Sequence, residues 1–259
     1  MTAGSINKEP SEGSLDLPPR LRWAKPSSVK ALLLCLDTST PTARVAMVDL
    51  DGQVRFSAEV TADRHAGHLM PLCSGLLSDA GVAVGDLAGI ACGGGPGSFT
   101  GLRVGLAAAK GMAMATGVPL HVVSSLEALA VDLLAAEPAA TAVPCLDAGK
   151  GEVYVAAYAS DPAHLVRELA PPARLAPEGV AAWGAPLRAP HLAGNGAVRH
   201  RERLAGLTVV DVAGPTALSV GRLALLQRAR GEAADLASVV PFYGRPPDIT
   251  VSKKGSSGA

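Results

Sequence analysis

A chain of 259 residues is long enough for one large domain or for two smaller lobes that each bury a core. Hydrophobic residues make up 48% of it but aromatic ones only 3%, so the core must be built mainly from Ala, Val and Leu. Lys plus Arg and Asp plus Glu number 23 each, a balance that argues against a chain gripping RNA alone through a strongly basic face.

The four cysteines, Cys35, Cys73, Cys92 and Cys145, form no CxxC pair, and three of them lie in apolar, strand-like runs. They read as small buried hydrophobes in a reducing compartment rather than as disulfides or a zinc site. Residues 1–30 are polar, rich in Pro, Ser and Lys, and are expected to form a disordered leader. No signal-peptide core and no bilayer-length apolar run is present, so the chain reads as cytoplasmic.

Order is expected from Ala31, where an apolar run ends at Asp37 and reads as a buried strand. A turn over Thr38–Thr42 leads to a strand at Arg44–Val48, a hairpin at Asp51-Gly52 and a third strand over Gln53–Val60. Leu69, Leu72, Leu76 and Leu77 recur at helical spacing, so His65–Ala80 is expected to be a helix, with Pro71 near its start. A strand over Leu87–Cys92 runs into Gly93-Gly-Gly-Pro-Gly-Ser-Phe-Thr-Gly101. A helix from about Leu102 to Thr116 and a strand over Pro119–Val123 follow. Ser124 and Glu127 then offer a capping box for a helix to about Ala135. Three meandering strands followed by alternating helix and strand describe an α/β lobe with a mixed sheet.

The second half restarts. Thr141–Asp147 repeats an apolar run ending in Cys-Leu-Asp, and setting Asp147 on Asp37 also sets Val155-Ala156 on Val45-Ala46. The shared strand–turn–strand plan implies a duplication into two lobes, 31–136 and 137–243, with a cleft between them. The second lobe is expected to continue with strands at Val153–Tyr158 and His164–Leu169 and a short helix near Pro177–Trp183. Gly194-Asn-Gly196, a strand at Leu207–Val210 and a helix over Thr216–Arg230 complete it. From Pro241 onward the chain reads as a tail, loose over 244–259.

Two motifs carry candidate chemistry. Asp37, Thr38, Ser39 and Thr40 could present a carboxylate, hydroxyls and N–H groups to a phosphate, or could form an ordinary hairpin turn. The glycine-rich segment permits close backbone approach at a helix N-terminus. It lacks the Gly-Lys-Ser/Thr of a Walker loop, the glycines that flank a nucleophilic serine, and the acid of a dinucleotide fingerprint. Along the following helix Gly101, Gly105 and Ala109 share a stripe, with Ala108, Gly111 and Ala115 nearby, which suits close helix packing within the lobe or with a partner. His65 and His68 are spaced for shared ligation, but no third ligand stands near them, so no metal site is expected.

Leu36–Thr40, Gly94–Gly105 and Leu146-Asp-Ala-Gly-Lys-Gly-Glu-Val-Tyr154 together resemble the TsaB family, over about Ala31 to Tyr243. The resemblance implies an actin-like (ASKHA, ribonuclease H-like) duplicated two-lobe fold. It also implies a complex with TsaD, the catalytic paralogue that transfers a threonylcarbamoyl group to a tRNA adenosine, and with the TsaE ATPase. TsaD carries a metal-binding His-x-x-x-His after the strand that follows the glycine-led helix. Here Ser125 and Leu129 stand at those positions, and neither ligates iron or zinc usefully. The implied role is that of a non-catalytic subunit that meets tRNA only through the complex, while an exposed apolar bundle face would invite self-pairing when the partner is scarce. No cofactor is required, and any ATP or ADP binding, at Asp37, Thr38 and Ser39 or at a short adenosine loop over Gly194-Asn-Gly196, is weak. The family further implies docking through a helical bundle, for which periodicity nominates Leu69, Leu72, Leu76, Arg103, Leu106 and Met114. An ATP-dependent small-molecule kinase is the alternative that the fold permits. A glycoprotease-type metalloprotease is disfavoured by the missing ligands.

Overall fold

The computed structural model describes residues 21–22, 32–61, 67–138, 140–204 and 206–243. The leader apart from Leu21–Arg22, His65, and the tail beyond Tyr243 lie outside the described residues.

The first sheet holds β1 (Leu21–Arg22), β2 (Leu32–Asp37), β3 (Thr42–Asp49), β4 (Val54–Thr61), β5 (Gly89–Gly93) and β6 (Leu120–Val123), in the order β1-β4-β3-β2-β5-β6. Strands β2, β3 and β4 form an antiparallel meander, β5 lies parallel to β2, and β6 parallel to β5. The second sheet holds β7 (Thr141–Gly149), β8 (Glu152–Asp161), β9 (Leu165–Leu175), β10 (Pro190–Ala193) and β11 (Thr208–Val209), in the order β11-β10-β7-β8-β9. Again three strands meander antiparallel and two add in parallel. With β1 set aside the two sheets have one topology, and the fold is a duplicated, actin-like α/β fold.

The repeat is not gapless. Cys35 pairs with Ala46, whereas its equivalent Cys145 pairs with Val155 rather than Ala156. The second hairpin is one residue tighter, and its pairing shifts between Asp147 and Gly149.

Among the described residues six α-helices cover the sheets: α1 (Leu69–Ala80), α2 (Phe99–Thr116), α3 (Ser125–Ala136), α4 (Val180–Gly184), α5 (Asn195–Arg199) and α6 (Ala217–Ala229). Leu69, Leu72, Cys73 and Leu76 of α1 and Leu106, Ala109 and Ala113 of α2 pack with Leu34, Leu36 and Met47 on one face of the first sheet. Full burial of such a side chain contributes roughly 1.5–3 kcal/mol. The opposite face, with Leu33, Cys35 and Val48, shares a continuous core with α3, α6 and Leu146, Ala156 and Tyr158 of the second sheet. Although α6 follows the second sheet in sequence, Gly221 sits on it where an added Cβ would lie 2.8 Å from Cys35 Sγ of the first. The two sheets are thus joined by a packed helical waist.

Helix ends differ from expectation by a few residues for identifiable reasons. Helix α2 begins at Phe99 rather than Leu102 because the Ser98 hydroxyl accepts the Gly101 N–H. Ser124 caps α3 through the Glu127 N–H, and Thr216 caps α6 through the Ser219 N–H. Strand β9 runs through Pro171-Pro172, which an edge strand tolerates because proline's missing N–H faces no neighbour. The four cysteines are buried free thiols. Among the described residues no helix is long and apolar enough to cross a membrane.

After α6 the chain doubles back over the first lobe. The Ala234 N–H bonds the Leu120 carbonyl at 2.7 Å, and the Phe242 N–H bonds that of Gly94 at 2.8 Å. The Tyr154 hydroxyl of the second sheet donates to the Tyr243 carbonyl at 2.7 Å. Pro241–Tyr243, where the sequence reads as turning into a tail, is therefore docked between the lobes.

Candidate functional site

The residues nominated for phosphate sit where β2 ends against the glycine-rich loop. Asp37, Thr38, Ser39 and Thr40 are all buried. Asp37 Oδ1 accepts the Ser39 N–H at 2.9 Å and the Ser39 hydroxyl at 2.6 Å, while Oδ2 accepts the Ser125 hydroxyl at 2.9 Å. Ser125 Oγ in turn accepts the Gly95 N–H at 3.2 Å, and the Thr38 hydroxyl donates to the Gly101 carbonyl at 2.8 Å. Burial raises the Asp37 carboxyl above its ordinary value, and the bonds from Ser39 and Ser125 pull it partly back.

The glycines exist for this contact. A Cβ at Gly93 would lie 1.9 Å from Asp37 Oδ2, and one at Gly105 would lie 2.2 Å from Thr38 Oγ1. The loop closes onto the turn, and the hydrogen-bonding groups offered to a phosphate are engaged within the chain. The turn is thus a hairpin turn closed from above by the loop.

The second lobe treats its equivalent differently. Asp147 accepts the Gly149 N–H at 2.9 Å and meets Arg199 at 2.6 Å in an exposed pair. Gly194 and Gly196, placed by the sequence in a short adenosine loop, press on β7. Added Cβ atoms there would lie 2.3 Å from the Cys145 carbonyl oxygen and 2.7 Å from the Leu146 carbonyl carbon. Asn195 Oδ1 accepts the Asp147 N–H at 3.1 Å. Beside the glycine-rich loop an opening of about 310 Å³ is lined by Ser124, Glu127, Tyr158, Glu168 and Phe242. Burial, then the nearby Glu168, raises the Glu127 carboxyl. Two carboxylates there repel an anion.

The positions that carry metal-ligating histidines in TsaD are filled structurally. Ser125 belongs to the Asp37 network, and Leu129 is fully buried in the core of the waist. His68 stands at the N-terminal end of α1 without capping it.

Among the six residues nominated for docking, Leu69, Leu72, Leu76 and Leu106 are corrected. They are at most 4% exposed and hold α1 and α2 onto their own sheet. A Leu stripe at helical spacing marks the face a helix buries, so the outward face must be read from the residues between. Met114 is 67% exposed, and Met70 of α1 and Phe99 of α2, which periodicity passed over, are exposed too. Arg103 is exposed, donates to the Tyr243 hydroxyl at 3.0 Å and lies 4.1 Å from the centre of the Phe99 ring. The small-residue stripe resolves into two. Gly101, Gly105 and Ala109 face the sheet, while Ala107, Gly111 and Ala115 form an open ridge beside Met114. A Cβ at Gly111 would touch nothing.

Residues 56–187 match the family described as TsaD: tRNA N6-adenosine threonylcarbamoyltransferase. The tRNA threonylcarbamoyladenosine biosynthesis protein TsaB of Escherichia coli strain K12 is 34% identical over 129 residues, covering 50% of this chain and 55% of that protein. YeaZ from Pseudomonas aeruginosa superposes with a TM-score of 0.72 at 32% identity, over 82% of this chain and 99% of that one. The chain belongs to the TsaB (YeaZ) family. It is also 34% identical to the TsaB protein of Bacillus subtilis strain 168 over 126 residues, 49% of this chain and 54% of that protein. The chain spans about half the length of the curated relatives it matches.

Proposed function

We propose that this chain is a non-catalytic subunit of the machinery that makes threonylcarbamoyladenosine on tRNA, docking on and activating a TsaD-type transferase. Family membership supports the pathway. The observation that carries the accessory role is the Asp37–Ser125 network. At the place where TsaD holds a metal, this chain has a serine bonded to a buried aspartate and a leucine packed in the core. The engaged turn and the acidic opening beside it support a subunit that requires no cofactor and binds ATP or ADP weakly at most.

The open ridge of α2, with Met114 and neighbouring Met70 of α1, supports docking through these helices. Small residues let a partner helix approach, and exposed methionines adapt to its surface. The same ridge serves for self-pairing in the absence of TsaD. A TsaE-type ATPase completes the assembly, and tRNA is contacted through the complex, in keeping with a net charge of zero.

Co-expression with the TsaD-type protein of the same organism, followed by size-exclusion chromatography and a tRNA threonylcarbamoylation assay, tests the proposal. A heterodimer and modification that needs both chains are the expected results. Met114→Glu should leave the melting temperature unchanged while weakening association by about thirtyfold, the effect of losing a central hot spot of about 2 kcal/mol. Full modification without this chain would overturn the accessory role. Undiminished pairing by Met70→Glu, Met114→Glu would overturn the docking face.

A further inference from the structure

A cavity of about 530 Å³ opens on the first lobe away from the glycine-rich loop, and no part of the proposed subunit role uses it. Its floor is the waist-facing side of β3 and β4, with Ala46 and Ser57, and its wall is the start of α6 with Leu218. The space exists because the floor is small and because Asp132 of α3 turns aside to cap α6. The Asp132 carboxylate accepts the Thr216 N–H at 2.7 Å and the hydroxyls of Thr216 and Ser219 at 2.7 and 2.6 Å. Its acceptors are therefore taken.

Arg44 differs. Its side chain is 18% exposed and lines the cavity, and its Nε donates to Glu59 at 3.0 Å. Its other hydrogen bond is a long one of 3.5 Å from Nη1 to Thr40 Oγ1. A guanidinium has five N–H donors, so most of this fork's capacity remains for an acceptor in the cavity. Glu59 is 62% exposed and touches Arg44 by a single point, an arrangement that contributes little to stability and yields readily. A ligand carboxylate can take its place with two parallel bonds while the displaced Glu59, already largely in solvent, keeps its charge in water. The rest of the lining is mostly apolar, with Ser57, Thr216 and the engaged Asp132 as its polar members, and the volume falls within the range of small-molecule sites.

We propose that this cavity binds a small carboxylic acid with a compact apolar body, its carboxylate on Arg44 in place of Glu59 and its body between Ala46, Ser57 and Leu218. Such a ligand would bear on the rest of the protein through the site's neighbours. A Cβ on Gly214 would lie 3.2 Å from Arg44 Nη1 and 2.6 Å from Thr40 Cγ2, so the cavity backs onto the locked turn.

The test is titration of the full chain with cyclohexanecarboxylate and with its neutral amide, followed by amide NMR shifts at Ser57, Glu59 and Leu218. Saturable shifts at these three are expected, with about a tenfold preference for the acid, the worth of one charge-assisted bond. Arg44→Gln should abolish that preference, and Glu59→Gln, which removes the competing carboxylate, should tighten binding of the acid. Ala46→Leu fills the floor and should stop both compounds; where it does not fold, Ser57→Leu serves the same purpose. Equal binding of acid and amide, shifts that survive a filled floor, or none up to about 10 mM would each overturn the proposal.

Discussion

Asp37 and Asp147 stand at equivalent places near the ends of matching strands in the two copies of one topology, yet their surroundings are opposite. Asp37 is fully buried beneath the glycine-rich loop, with three donors on its two oxygens. Asp147 stands beside an open turn, and its ion-pair partner, Arg199, is 67% exposed. The first lobe has the Gly93–Ser98 segment to lay over its turn, while the second has Gly194 and Gly196, which grip the strand below the turn instead. The duplicated backbone decides where an acid stands. The loop that follows β5 in one lobe and β10 in the other decides whether that acid faces a ligand, solvent or its own protein.

The sharpest way to break this comparison is at Gly93. An alanine Cβ there would sit 1.9 Å from Asp37 Oδ2 and 2.9 Å from Ser125 Oγ, two atoms already bonded to each other. Neither can move without opening the network, so Gly93→Ala should cost about 3 kcal/mol in urea unfolding or prevent folding. A cost under about 1 kcal/mol would mean that loop and turn are not locked together.

The pH dependence of stability is the next test. Burial holds the folded Asp37 carboxyl above its ordinary value, so folding favours the protonated form. Its contribution is complete below the unfolded value, about 4, and is lost as pH rises through the folded value. Asp37→Asn stays neutral throughout, so as pH rises above the unfolded value of about 4 its stability should fall less steeply than that of the wild type. Some slope will remain, because burial also raises the carboxyls of Asp132 and Glu127. Parallel urea-midpoint profiles for the two proteins would show that Asp37 is not the buried acid it is taken to be.

These two sites also mark how far the sequence was legible. Short apolar runs ending in Cys-Leu-Asp made the duplication and both sheets readable, because a buried strand needs such a run. The role of the Asp37 turn was not readable, since a phosphate site and a sealed turn use the same Asp, Thr, Ser and Gly. What separates them is the distance from Gly93 to Asp37, which joins positions far apart in the chain. Four of the six docking nominations fell on the wrong face for a local reason: the leucines that announce α1 and α2 are the ones these helices bury, and the exposed Met70 carries no periodic signal. Tyr243 gave no signal either. Its position depends on Arg103 and Tyr154, contacts that span 140 and 89 positions.

A milder test lies at the open turn. Gly149 has a φ of 71°, and an added Cβ would meet nothing within 4 Å. Gly149→Ala therefore carries only the backbone penalty of the left-handed region, about 1 kcal/mol, with no clash. That is a third of the expected loss at Gly93, although both glycines flank an equivalent aspartate. Equal losses in urea unfolding would show that the second turn is as tightly covered as the first.

The smallest effect is expected from Asp147→Asn. The amide oxygen can still accept the Gly149 N–H, so the turn keeps its local bond and loses only the charge facing Arg199. Because that arginine is largely in solvent, the pair is screened and its loss should cost no more than about 0.5 kcal/mol. Raising the salt concentration should shrink even that difference. The measurement needs the same urea titration at low and high salt. A loss above about 1.5 kcal/mol that ignores salt would place Asp147 in a desolvated network like that of Asp37. The asymmetry between the lobes would then reside in their loops alone and not in the state of their acids.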